Sequence, residues 1–160
     1  MAAETLTATK GKTTAPQPGT GPAGNLKVQY ETYTIAANVE AGDVFAMVWV
    51  PACTVLDGRI VADQLDTHAT PTLDMNVGWA SNGVDDADPD GFGNFGVWDD
   101  SAVTGYKPEV GHRLPFGGTL LANGPKTFTV PTQILVTDVA AAATFAAGQM
   151  TLIVEYVVND

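Results

Sequence analysis

Leu73-Asp74-Met75-Asn76-Val77-Gly78-Trp79 alternates at every step, and a period of two is the signature of a strand with one buried face. Leu73, Met75, Val77 and Trp79 therefore share a predicted inward face. Met150-Thr151-Leu152-Ile153-Val154-Glu155-Tyr156 repeats the pattern and places Met150, Leu152, Val154 and Tyr156 inward. Val44-Phe45-Ala46-Met47-Val48-Trp49-Val50 is apolar on both faces, as expected of a strand inside a packed sheet or at an interface. Further strands are predicted over 28–36, 54–63, 92–98, 115–121, 126–130 and 132–139. The breaks between them carry turn chemistry: Ala41-Gly42-Asp43, Ser81-Asn82-Gly83, Gly117-Gly118 and Asn123-Gly124-Pro125. Asp57-Gly58 reads either as a bulge or as a tight hairpin within one apolar run. Only 139–147 invites a helix, being rich in alanine. It is short and has no apolar stripe, so it reads as a small-residue loop with at most one helical turn. Eight or nine strands without helical crossovers predict an all-β fold, an antiparallel, jelly-roll-like β-sandwich.

The 160 residues fit one domain, or one domain with a tail. Apolar residues make up 45% and charged residues 16%, enough to bury a core and too few charges for a disordered chain. Eighteen acids against seven bases give −11, which argues against nucleic acid as a partner, because a grip on phosphates needs a basic face. A single cysteine, Cys53, excludes an intramolecular disulfide and a Cys-based zinc site, and His68 and His112 are too few for a three-histidine site. No apolar run approaches the roughly 18 residues of a membrane span, and residues 1–14 lack a signal-peptide core. The expectation is a chain made in the cytoplasm, with no membrane partner.

The charge divides by position. Residues 1–27 hold Lys10, Lys12 and Lys27 against Glu4, a balance of +2; residues 28–160 hold seventeen acids against Arg59, Lys107, Arg113 and Lys126, a balance of −13. The first stretch is Thr, Ala, Gly and Pro without an aromatic residue, and it buries too little to offset the entropy of ordering it. Residues 1–27 are thus expected to be an extended arm, disordered alone and ordered against a partner, and 28–160 the sandwich domain.

Gly91-Phe92-Gly93-Asn94-Phe95-Gly96 spells G-x-G-x-x-G, but it follows an acidic loop and opens no predicted helix, so no dinucleotide site is expected. Gly11-Lys12-Thr13 lacks the first glycine of a phosphate loop. Asp86, Asp88, Asp90 and Gly91 match the opening of a calcium loop, where alternate carboxylates converge around the ion. Val97 stands where an EF-hand needs a bidentate glutamate. What remains is a reduced calcium loop completed by Asp85, Asp99, Asp100 or a carbonyl, or else a solvated turn. Calcium is the one cofactor the residues suggest. Catalysis finds little support: Ser81 and Ser101 sit in no nucleophile elbow, Cys53 reads as a buried small hydrophobe, and both histidines lie in turn-like contexts. No enzyme is expected. Trp98 and Tyr106, near loops, are the aromatics freest to stack on a sugar, whereas Trp49 and Trp79 fall on core positions.

The runs Tyr30-Glu31-Thr32-Tyr33-Thr34-Ile35, Ala41-Gly42-Asp43-Val44, Val55-Leu56-Asp57-Gly58, Leu65-Asp66-Thr67 and Leu73 to Gly78 resemble small structural proteins of tailed bacteriophages. Ala146-Ala147-Gly148-Gln149-Met150 through Val157 is similar to their closing strand. The resemblance covers most of 28–158 and implies a β-sandwich used as a head decoration (cement) protein or another minor virion component. It further implies a homotrimer seated on the major capsid protein at the outer surface of the head. The arm lies outside the matched runs; Lys10, Lys12 and Lys27 are expected to meet acidic patches on the capsid. A carbohydrate-binding head fibre or host-adsorption module is the alternative, using Trp98 or Tyr106. A genome-neutralising arm is not expected, because three lysines and a glutamate are too few.

Overall fold

Alternation in the sequence becomes two faces in space. The computed structural model describes residues 5–7, 26–98 and 114–158. Its elements in chain order are β1 (Thr5–Thr7), β2 (Leu26–Ile35), β3 (Val44–Val50), β4 (Cys53–Ala62), β5 (Asp74–Trp79) and β6 (Asp88–Val97). Then come β7 (Leu114–Pro115), α1 (Thr119–Asn123), β8 (Lys126–Phe128), β9 (Thr132–Ala140) and β10 (Gly148–Val158). Leu73, Met75, Val77 and Trp79 are buried, as are Met150, Leu152, Val154 and Tyr156. Thr151, Ile153, Glu155 and Val157 between the latter stay half-buried on the opposite side.

One sheet runs β2-β10-β4-β7, with β8 also paired to β4; the other runs β1-β3-β9-β5-β6. Setting β1 aside and treating β7 and β8 as one broken strand, the eight strands fall in chain order as 1-8-3-6 and 2-7-4-5. That interleaving of two Greek keys is a jelly roll. All pairs are antiparallel except β1 on β3. Phe45, Met47, Phe92, Ile134, Val136 and Leu152 fill the space between the sheets. Trp79 meets Phe92 edge-on at 4.9 Å, and Phe92 stacks on Phe116 at 4.8 Å with the rings 9° from parallel.

The run around Asp57-Gly58 holds a bulge, one residue earlier, at Leu56-Asp57. β4 runs unbroken from Cys53 to Ala62, with Val55 opposite Tyr156 and Asp57 opposite Glu155, so Leu56 is the extra residue. Two glycines of the G-x-G-x-x-G string serve packing: a Cβ on Gly91 would enter the Trp79 ring and one on Gly93 the Phe95 ring, while Gly96 takes φ 67 in open space.

One strand expectation needs correction. The strand predicted over 115–121 stops after Pro115, because Gly118 takes φ 51, a left-handed conformation suited to glycine, and Thr119–Asn123 turns into α1. Among the described residues the one short helix is there; 139–147 is the expected loop once β9 ends at Ala140. Within the arm, Thr5–Thr7 pairs in parallel with Val44–Ala46 and so extends the second sheet by one short strand. Among the described residues no helix is long and apolar enough to cross a membrane.

Candidate interaction surfaces

The acidic loop is built around a lysine. Asn82 Oδ1 accepts from the N–H groups of Val84 (2.9 Å) and Asp85 (2.7 Å), and its Nδ2 donates to Asp85 Oδ2 (3.1 Å) and Thr132 Oγ1 (2.7 Å). Lys126 Nζ donates to Asp85 Oδ1 at 2.7 Å and lies 4.9 Å above the Trp79 ring and 5.2 Å from that of Phe128. Trp79 Nε1 closes the loop by donating to the Asp86 carbonyl at 3.1 Å. The Lys126 and Asn82 hydrogen bonds hold the Asp85 carboxyl below its ordinary range.

Of the three calcium-loop candidates, Asp86 stays exposed while Asp88 and Asp90 begin β6. Burial, then the Asp90 carboxyl beside it, raises the pKa of Asp88. Asp99 and Asp100 lie outside the described residues. Among the described residues no three Asp, Glu, His or Cys side chains converge as a metal set. The positive charge at this loop comes from Lys126, so Lys126→Met should remove a charge-assisted bond and two ring contacts together. The expected cost is about 1–3 kcal/mol in urea unfolding; a loss confined to a few tenths would mean the loop holds itself.

A second polar site joins two loops at the far end of β9. Asp66 is 1% exposed. Its Oδ1 accepts from the N–H groups of His68 (3.1 Å) and Thr144 (3.0 Å), and its Oδ2 from Thr72 (2.9 Å), Leu73 (3.3 Å) and Ala143 (2.8 Å). Burial pushes this carboxyl up, but the N–H donors of Thr72, Thr144, Ala143 and His68 outweigh it and hold it at about 2. Thr67 N–H to Thr144 O (2.9 Å) and Ala146 N–H to Leu65 O (2.9 Å) complete the seam. The only trace of this hub in the sequence is Leu65-Asp66-Thr67, an Asx-type turn signal.

Nearby, Asp43, Asp74 and Asp138 bring three carboxyls close enough to influence one another. Asp138 is 1% exposed, and its two carboxyl oxygens have no hydrogen-bond partner among the described residues. Burial first, then the charges of Asp43 and Asp74, push it up to about 7.

No nucleophile and base meet among the described residues. Cys53 is buried and its thiol is pushed up to about 12 by that burial, so it is unreactive. Ser81 donates to the Asp85 carbonyl at 3.3 Å, and exposed His68 uses Nδ1 within its own turn at Thr70. Trp98, expected to be free near a loop, is instead buried in the core, its backbone N–H donating to the Leu73 carbonyl at 2.7 Å. It presents no sugar-stacking face; Tyr106 and His112 lie outside the described residues. Lys10 and Lys12 also lie outside them. Lys27 is the second residue of β2, in register with Tyr156, so the body begins at Leu26.

No family model matches the chain, and no curated protein does. Solved structures do. A chain in the cyanophage Pam1 capsid asymmetric unit is 26% identical, over 92% of this chain and 95% of that one, with a TM-score of 0.66. A chain in the capsid of Ralstonia phage GP4 is 22% identical over 98% and 99%, with a TM-score of 0.72. One from the acidic stable capsid structure of Helicobacter pylori bacteriophage KHP30 is 12% identical over 87% and 92%, with a TM-score of 0.60. The jelly roll built by this sequence is therefore a fold found in chains of bacteriophage capsids, and it matches two of them over nearly their whole length.

Proposed function

We propose that the protein is a structural component of a bacteriophage virion. Its specific role is that of a decoration or cement protein, a homotrimer on the outer surface of the head that binds the major capsid protein and stabilises the assembled shell. The observation that carries the reading is the shared fold: a chain of the Pam1 capsid accounts for 92% of this one at 26% identity. The physical chemistry agrees. A protein that binds only the assembled lattice shifts it towards intact by mass action. A body of −12 over residues 26–160 suits the outside of a DNA-filled shell, and Lys10 and Lys12 of the mildly basic arm suit contact with acidic capsid patches, whereas Lys27 belongs to β2. Strand pairing by Thr5–Thr7 on the β3 edge supports an arm that docks by backbone hydrogen bonds to a sheet edge. No catalytic step belongs to this role.

Removing residues 1–25 tests it. The truncated chain keeps every strand from β2 onward and is expected to fold with an unchanged circular dichroism spectrum, yet to lose most of its occupancy on purified heads. Undiminished binding would overturn the role of the arm. Electron microscopy of virions carrying tagged protein would overturn the outer-surface assignment by placing it within the shell lattice or on the tail.

A further inference from the structure

The sheet β2-β10-β4 turns one face to the core and presents the other outward, and that outer face is unusually apolar for so acidic a body. On β2, Leu26, Val28 and Tyr30 are 54%, 57% and 57% exposed, at successive outward positions of one strand. In register beside them on β10 stand Val157, Glu155 and Ile153. Beyond, on β4, are Thr54, Asp57 and Arg59, with Leu56 exposed at the bulge. Contiguous exposed apolar surface of this kind marks interaction sites.

The charges on this face select the partner. Glu155 and Arg59 pair at 2.9 Å, side by side on neighbouring strands. Asp57 is the other acid facing outward on this layer among the described residues. The acids Asp85, Asp86, Asp88 and Asp90 cluster instead on the loop and strand leading into β6, in the other sheet. Two molecules of −11 repel each other across most of their surface, and here they can approach without that penalty. The face is also self-complementary. Around a threefold axis the face of each copy can meet that of the next, apolar row beside apolar row, with Arg59 of one copy offered the Glu155 of its neighbour. By contrast, the open edge of β2 carries Lys27 and Glu31 on its inward-pointing positions, a device that discourages edge-to-edge pairing. Contact by the face is thus favoured over contact by the edge.

We infer that copies of this chain associate through the outer face of the β2-β10-β4 layer, with Leu26, Val28 and Tyr30 at the centre of the contact. The inference deepens the self-associating part of the cement reading and rests on that part. Light scattering after size exclusion on the full chain tests it. The unaltered protein is expected at a multiple of its 16.6 kDa mass. Val28→Asp combined with Tyr30→Asp is expected at the mass of one chain, with an unchanged circular dichroism spectrum. Leu121→Asp, at a position 88% exposed on α1 away from this face, is expected to keep the unaltered mass. Radical footprinting of the unaltered protein needs no variant: Leu26, Val28 and Tyr30 should become protected as concentration rises from about 1 to 100 µM, across the range where weak association takes place. A single-chain mass for the unaltered protein at the higher concentration would overturn the inference, as would a doubly substituted protein that stays assembled. If the unaltered protein is a single chain and the double substitution abolishes binding to heads, the face belongs to the shell contact; the inference falls and the cement reading stands.

Discussion

Replacing Asp66 with alanine is expected to cost about 3–5 kcal/mol, a large part of the 5–15 kcal/mol that holds an ordinary domain together. The substitution leaves five backbone N–H groups, those of His68, Thr72, Leu73, Ala143 and Thr144, without their acceptor. Each orphaned donor costs about 1–3 kcal/mol where water cannot reach it, and some will be rehydrated as the loops part. At about 2–4 °C per kcal/mol for a chain of this size, the melting midpoint should fall by roughly 6–20 °C. Asparagine is not expected to rescue it. Three of the donors converge on Oδ2, and an amide nitrogen there would face N–H groups with its own N–H. The pH dependence follows from the same geometry. The folded carboxyl titrates at about 2, below its ordinary unfolded value of about 3.9. Its stabilisation is therefore complete above pH 4 and disappears as the pH falls through that interval, a loss of about 2–3 kcal/mol. Urea unfolding of the parent and Asp66→Ala at pH 7 and pH 2.5 checks both points. A gap between the two proteins as wide at pH 2.5 as at pH 7 would refute the carboxylate account.

The strands were legible because burial of one face imposes a period of two. Leu73 to Trp79 and Met150 to Tyr156 show that period, and they lie in opposite sheets. Even the irregular Asp57-Gly58 announced a bulge or hairpin, and the pairing of β4 with β10 settles which. Hidden features are those whose partners come from far along the chain. Asp66 looks like one more turn aspartate until residues 143 and 144 bring two of its five donors from the other side of the fold. Trp98 looked free because it precedes a polar stretch, yet its place is fixed by the Leu73 carbonyl on the neighbouring strand. The span 115–121 was misread for a local reason: Gly117-Gly118 permits a left-handed residue that ends the strand. The calcium-loop pattern Asp86, Asp88, Asp90 was visible, whereas Lys126, the cation that reaches the loop, arrives from a later strand.

Asp138 has the opposite effect on stability. It lies on the inward register of β9, following Thr132, Ile134 and Val136. Its N–H donates to the Asp43 carbonyl (2.9 Å) and its carbonyl accepts from Gly42 (2.8 Å), so the backbone fixes it there. The folded carboxyl titrates at about 7, well above the unfolded value of about 3.9. Between those two values the folded state holds a proton that the unfolded state has released. Raising the pH through this window therefore destabilises the fold, by up to about 4 kcal/mol, and the loss levels off above pH 7. Asp138→Asn removes the charge while keeping the shape. It is expected to raise stability at pH 8 by about 2–4 kcal/mol and to change it little at pH 4.5, where the native aspartate is already protonated. With Asp66 losing its contribution below pH 4 and Asp138 ionising towards pH 7, the parent should be most stable near pH 4–5, whereas the variant should stay level from there to pH 8. A protein with this balance holds its fold best in mild acid. Urea midpoints at pH 4.5, 6 and 8 read this directly, and parallel profiles for parent and variant would show that Asp138 does not set the slope.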